Sequence, residues 1–134
     1  MLRLLPPLCW SGLIAYFGGG QWGGADTAAW LGPVLRALLP TASPEELAAA
    51  HLLIRKAGHV IEYAVLAGLW RQYLGGGAWA PLGLAVLTAS LDELHQSFTP
   101  GRGGSLVDVL LDGAAAATAL GLIALRARLR GAAS

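Results

Sequence analysis

Charge is what this chain has least of. Aspartate, glutamate, lysine and arginine make up only 13% of its 134 residues, about half the share of an average soluble domain. With 55% hydrophobic residues and a mean hydropathy of +0.58, this scarcity points to a bilayer as the solvent. The net charge is +1, and no basic stripe interleaves with aromatics, so nucleic acid is not an expected partner. A single cysteine, Cys9, excludes an internal disulfide, and no Cys/His spacing suits a structural zinc. Cys9 lies in an apolar segment and is expected to pack as a small hydrophobe. No repeat or low-complexity tail is present, and the length suits one domain, residues 1–134.

What is there is apolar sequence in runs close to bilayer length, about 20 residues each. Four spans are expected: Leu4–Trp22, Ala57–Leu74, Ala78–Gln96 and Leu106–Leu125. The first is the weakest, with Pro6 and Pro7 near its start and three glycines near its end; a cleaved signal peptide is the alternative there. Gly75–Gly77 and Thr99–Gly104 read as the turns between the later spans. Between the first two spans lies a partly helical loop. In it Pro33 and Pro40 are expected to break the chain, and "SPEE" at Ser43–Glu46 forms a capping box from which a helix runs into the second span. The expected fold is therefore all-α, a four-transmembrane-helix bundle with a partly helical outer loop.

Orientation follows from the basic residues near span ends. Arg3, Arg71, Arg126, Arg128 and Arg130 fall on one side, and Arg36, Arg55, Lys56 and Arg102 on the other. The "RARLR" tail is the strongest local signal, so both termini are expected in the cytoplasm. Trp10, Trp22, Trp30, Trp70 and Trp79 are read as interfacial anchors.

Against this apolar background, Leu91–Asp112 gathers four acids, a histidine and an arginine. Ionisable groups near lipid are costly. Helical spacing offers a reason for their presence. Lys56, His59 and Tyr63 make one stripe at the head of the second span, with Glu62 nearby. Asp92, His95 and Gln96 make another at the end of the third, with Glu93 to one side. Ser105, Asp108 and Asp112 make a stripe at the start of the fourth. Three facing stripes would enclose one polar cavity at the outer surface, with Arg102 in its turn. Plainer readings compete: Ser105 and Asp108 form S-x-x-D, a helix cap, and Asp92, Glu93, His95 and Arg102 can be headgroup-level charges. Ala115 and Ala119 stand in a small-xxx-small relation that allows close helix approach, or belong to a plain alanine-rich helix.

"KAGHVIEY" followed by "DELHQSFTPGRGGSLVD" resembles the VanZ-like family of small bacterial membrane proteins. The pattern is a lysine and a histidine three residues on, then D-E-x-x-Q-x-F-x-P-G-R, then an aspartate. Here these are Lys56, His59, Asp92, Glu93, Gln96, Phe98, Pro100, Gly101, Arg102 and Asp108, and the likeness is best over 56–125. The chain departs from the family in carrying Asp112 in place of a common asparagine, Ala115 and Ala119 in place of glycines, and Arg55 in place of an aspartate. The resemblance implies a bacterial plasma-membrane location and allows a link to glycopeptide (teicoplanin) resistance.

Three functions are open. One is a binding protein for a lipid-linked or cell-wall ligand, with membrane lipid around it. Its ligand-binding residues would be Lys56, His59, Glu62, Asp92, Glu93, Gln96, Arg102, Asp108 and Asp112; no cofactor is required. Another is an intramembrane enzyme acting on a lipid or glycan headgroup, with His59, Glu93 and Asp108 as catalytic candidates. A divalent metal on the carboxylates is allowed for in that case, magnesium, calcium or manganese by its oxygen-rich donors. The third is proton-coupled transport, for which four spans leave little room without oligomerisation.

Overall fold

The structure, a computed structural model, describes residues 4–19, 22–100 and 103–132. Arg102, a predicted site residue, lies outside them. Five helices follow one another: α1 (Leu5–Phe17), α2 (Gly24–Leu38), α3 (Pro44–Leu74), α4 (Trp79–Ser97) and α5 (Leu106–Gly131). No strand occurs among the described residues.

The helix boundaries follow from local chemistry. Pro6 and Pro7 open α1, where a missing N–H costs nothing. α3 begins at the expected capping box: Glu46 N–H donates to Ser43 Oγ at 3.2 Å, and Ser43 N–H donates to Glu46 Oε2 at 2.7 Å. From there it runs 31 residues without interruption. It stops at Gly75 and Gly76, whose φ angles of 67° and 69° belong to the left-handed region that favours glycine.

Three expectations are corrected here. Pro33 does not break the chain but sits inside α2. Beyond it, buried Leu35 packs α2 against α3, and Thr27 Oγ1 lies 3.0 Å from His51 Nε2; this docking offsets the one lost backbone bond. Cys9 is exposed on α1 and does not pack inside the protein. Trp10 and Trp70 are packing residues as well. Trp10 Nε1 donates to the Glu62 carbonyl at 2.9 Å, and Trp70 is buried in the core. Trp30 and Trp79 are exposed.

α3, α4 and α5 form the heart of the bundle, and α1 and α2 lean on α3. The core joins Ile14 of α1, Leu66 and Ala67 of α3, Ala85 and Ala89 of α4, and Ala116 and Leu120 of α5. Its small residues let the backbones approach closely. On α5, Ala115 and Ala116 are buried and Ala119 is half-buried.

By length and hydropathy, among the described residues only α5 suffices to cross a membrane. α1 has 13 residues, about 20 Å of helix against a hydrocarbon core of about 30 Å. Its expected span reached Trp22, but the helix ends at Phe17. α3 and α4 are long enough, but their polar residues dilute their hydropathy.

Candidate functional site

Those polar residues meet. The antiparallel run of α3 and α4, followed by α5, brings the middle of α3, the last turns of α4 and the first turns of α5 to one end of the bundle. A cavity of about 210 Å³ opens there, lined on its charged side by Arg55, Lys56, His59, Glu93, Asp108 and Asp112. Gln96 and Gly103 complete its α4 and turn walls, and Gly24 of α2 also reaches it.

The groups are linked in a definite way. Lys56 Nζ forms an ion pair with Asp108 Oδ1. Asp108 N–H caps onto Ser105 Oγ at 3.3 Å. The S-x-x-D capping reading is therefore half right, because the Asp108 carboxylate turns to Lys56 and not back to Ser105. The reciprocal partner comes from another helix: Ser105 N–H donates to Glu93 Oε2 at 2.7 Å. The approach of α5 to α4 at this point is close. A Cβ on Gly104 would lie 2.4 Å from the Glu93 carbonyl oxygen, so only glycine fits the turn there.

Deeper, Gln96 Nε2 donates to Asp92 Oδ2 at 2.8 Å, with both side chains buried. Asp92 also approaches α1: a Cβ on Gly18 would lie 2.2 Å from its Oδ1. His59 stacks on Tyr63 with ring centroids 6.4 Å apart. Its Nδ1 is 3.6 Å from Asp112 Oδ2, an ion-pair distance that exceeds a normal hydrogen bond. Asp112 is 1% exposed, and neither of its carboxylate oxygens has a hydrogen-bond partner. A buried carboxylate without donors is rare and costly.

Most of the predicted residues therefore come together: Lys56, His59, Glu93, Gln96, Asp108 and Asp112 line the cavity. Asp92 stands behind it. Glu62 lies to one side, with Asp92, in an apolar cleft of about 370 Å³ between α1, α2 and α3. His95 does not join. It is exposed, and Glu93 takes its place on the buried stripe with Asp92 and Gln96. The signal was present in the small residues: Glu93 is one helical step of four beyond Ala89, which is itself four beyond Ala85, and both alanines are buried. Arg55 was missed as a site residue although it lies four before His59, and it lines both the cavity and the cleft. Among the described residues no three His, Cys, Asp or Glu side chains are grouped to hold a metal ion.

Such a bundle, apolar at one end and carrying a cluster of carboxylates and cations at the other, belongs to the class of small helical proteins with a polar site set between helices. The sequence model of the VanZ/LLP1 family matches residues 8–127, and the chain belongs to that family. The match takes in α1 and α2 as well as the 56–125 stretch that carries the motif. Searches of curated proteins and of solved structures give no match.

Proposed function

We propose that the protein is a multi-pass protein of the bacterial plasma membrane that binds a lipid-linked or cell-wall ligand by its headgroup, in a cavity open to the outer leaflet. The observation that carries this reading is the convergence of Lys56, His59, Glu93, Asp108 and Asp112 on one cavity of an otherwise apolar bundle. The outside of the bundle supports a lipid surround. Leu8 and Leu13 of α1, Leu87 and Leu91 of α4, and Leu110 and Leu122 of α5 are all exposed, more contiguous apolar surface than water tolerates. The most apolar stretch of α5 is only 17% buried, unlike the core helix of a soluble protein. In this reading α1, α3, α4 and α5 are the four spans, with α1 too short to cross without local thinning. α2 lies at the outer interface, and both termini are cytoplasmic beside Arg126, Arg128 and Arg130.

Two measurements test it. In a Cys9→Ser background, cysteines placed at Gly103 and at Ala132 are exposed to an impermeant thiol reagent in intact cells; only Gly103 is expected to label. For the ligand, mass spectrometry of the purified protein is expected to find a phosphate-bearing lipid held by the wild type and lost from Lys56→Ala and Asp112→Ala. Equal retention in all three proteins overturns the headgroup site.

A second reading, an acid–base enzyme acting on a lipid or glycan headgroup, draws on the His59–Asp112 pair at the cavity wall. It predicts that wild-type protein converts a labelled bacterial lipid extract to a product that His59→Gln does not form. If the ligand is a cell-wall precursor, deletion of the gene is expected to alter teicoplanin susceptibility.

A further inference from the structure

Among the described residues, two groups are short of the partners their chemistry calls for. Arg55 is half-buried, and no carboxylate among the described residues lies within ion-pair distance of it. Asp112 is buried, its oxygens accept no hydrogen bond among the described residues, and its ion-pair neighbour, His59 Nδ1, stands 3.6 Å away. Both line the same polar cavity, so one ligand can satisfy both if it brings an anion for the guanidinium and a hydroxyl or ammonium donor for the carboxylate. Lys56 and Glu93 are already engaged, with Asp108 and with Ser105 N–H; they frame the cavity and do not compete for the anion. The start of α2 adds to the attraction at Arg55. Its N-cap, Gly23, makes no side-chain cap, and a Cβ on Gly24 would lie 3.1 Å from Arg55 Nη1. The uncapped N–H groups of a helix start carry partial positive charge. Asp26 in that first turn is exposed, which screens its opposing charge.

Arg55 and His59 also line the second recess, the apolar cleft between α1, α2 and α3. Its walls are Ile14, Phe17, Trp22, Trp30 and Gly58, with Glu62 and Asp92 as its other ionisable groups. Polar cavity and apolar cleft thus share Arg55 and His59 as a common wall. We propose that the two recesses form a single bipartite site for an acyl-bearing phosphate ester: phosphate on Arg55, a hydroxyl or ammonium group on Asp112, and the alkyl chain in the cleft. This rests on the reading of the cavity as a headgroup site and adds to it the ligand's chain and the residue that joins the halves. The shared wall favours one occupant that reaches into both recesses. A free phosphate would use Arg55 and leave the cleft empty, whereas an acyl phosphate fills both.

Gly58 makes the two halves separable. It lines the cleft and not the cavity, and a Cβ there meets nothing within 4 Å. Gly58→Leu therefore has room for its Cβ and extends a side chain from a position that lines the cleft, and leucine favours the helix more than glycine does. The experiment measures binding of glycerol phosphate and of its hexanoyl, decanoyl and myristoyl monoesters to the detergent-purified full chain, for wild type, Gly58→Leu and Arg55→Gln. Thermal unfolding checks that each is folded. In wild type, affinity is expected to rise along the series, by up to roughly fourfold for each methylene that enters the cleft. Gly58→Leu is expected to flatten that rise, weakening the myristoyl ester at least about tenfold, while leaving the short probes as in wild type. Arg55→Gln is expected to weaken every probe by a similar factor, at least about tenfold, as loss of a charge-assisted phosphate contact does. Partition of the longer esters into detergent is common to all three proteins, so the comparison between proteins isolates the cleft. If Gly58→Leu keeps the wild-type dependence on chain length, the bipartite site is wrong while a headgroup site that depends on Arg55 still stands. If no probe binds wild type, or Arg55→Gln binds all of them as wild type does, the bipartite site fails at its phosphate end; failure of every probe to bind wild type also removes the headgroup reading beneath it.

Discussion

The two ends of the bundle are built from the same three helices and obey opposite rules. Toward the Gly75–Gly77 turn, α3, α4 and α5 meet through Leu66, Ala67, Trp70, Ala85, Ala116 and Leu120. Two to three turns away, the same faces carry His59, Glu93, Gln96, Asp108 and Asp112. Tyr63, fully buried and stacked on His59, marks the seam. In the membrane setting proposed above, apolar contact between helices adds little that lipid itself does not offer, so close packing would have to hold the bundle. The small-residue end supplies that packing. The polar end carries costs, a buried Asp112 without a hydrogen bond above all, that packing alone does not explain. Close packing and polar groups thus occupy separate stretches of each helix.

The comparison can be tested at four points. Leu66→Ala, in the packed end, is expected to cost about 3 kcal/mol, as a cavity among close-packed neighbours does. Thermal unfolding in detergent should show it, with ligand retention by the folded fraction unchanged. Gly104→Ala drives a methyl group toward the Glu93 carbonyl and is expected to cost about 1–3 kcal/mol; unlike Leu66→Ala it should also impair binding, because the turn carries the cavity wall. Asp112→Asn keeps the shape of the side chain and removes the charge. A gain of about 1 kcal/mol in stability is expected, since a buried carboxylate without a hydrogen bond is relieved and only the long contact to His59 is lost, together with headgroup binding weaker by about tenfold. A loss of stability in this variant would break the division of labour between the two ends. Ser43→Ala removes one half of the capping box at the start of α3. It should cost about 1 kcal/mol or less and leave binding untouched, since that helix start lies far along the chain from both ends compared here.

Local chemistry was legible and tertiary choice was not. The capping box at Ser43 and Glu46, the glycine stop at Gly75 and the apolar run of α5 are written in adjacent residues, and the structure has them as expected. The convergence of three polar stripes followed from helical period and short turns. The errors arose where two faces of one helix were both plausible, or where a neighbour decided the matter. His95 and Glu93 are both within reach of a stripe through Asp92 and Gln96, and burial against α3 and α5 selects Glu93. Pro33 reads as a breaker until Leu35 is docked on α3. Trp10 reads as an interfacial anchor until its indole finds the Glu62 carbonyl. Arg55 gains significance only once α2 folds back beside it, and no spacing in the sequence announces that contact.

The bond from Ser105 N–H to Glu93 does more than cap a helix. Glu93 holds Ser105, Ser105 Oγ holds the Asp108 N–H, and Asp108 holds Lys56. These links run in series from α4 through the first turn of α5 to α3, like stitches across a seam. α5 cannot part from α4 without breaking the Glu93–Ser105 bond, nor from α3 without breaking the Lys56–Asp108 pair. A glutamine at position 93 could keep the thread, because it retains an acceptor oxygen; an alanine would cut it. Glu93 thus ties the start of α5 to α4 at the cavity wall, and through Asp108 that start is tied to α3.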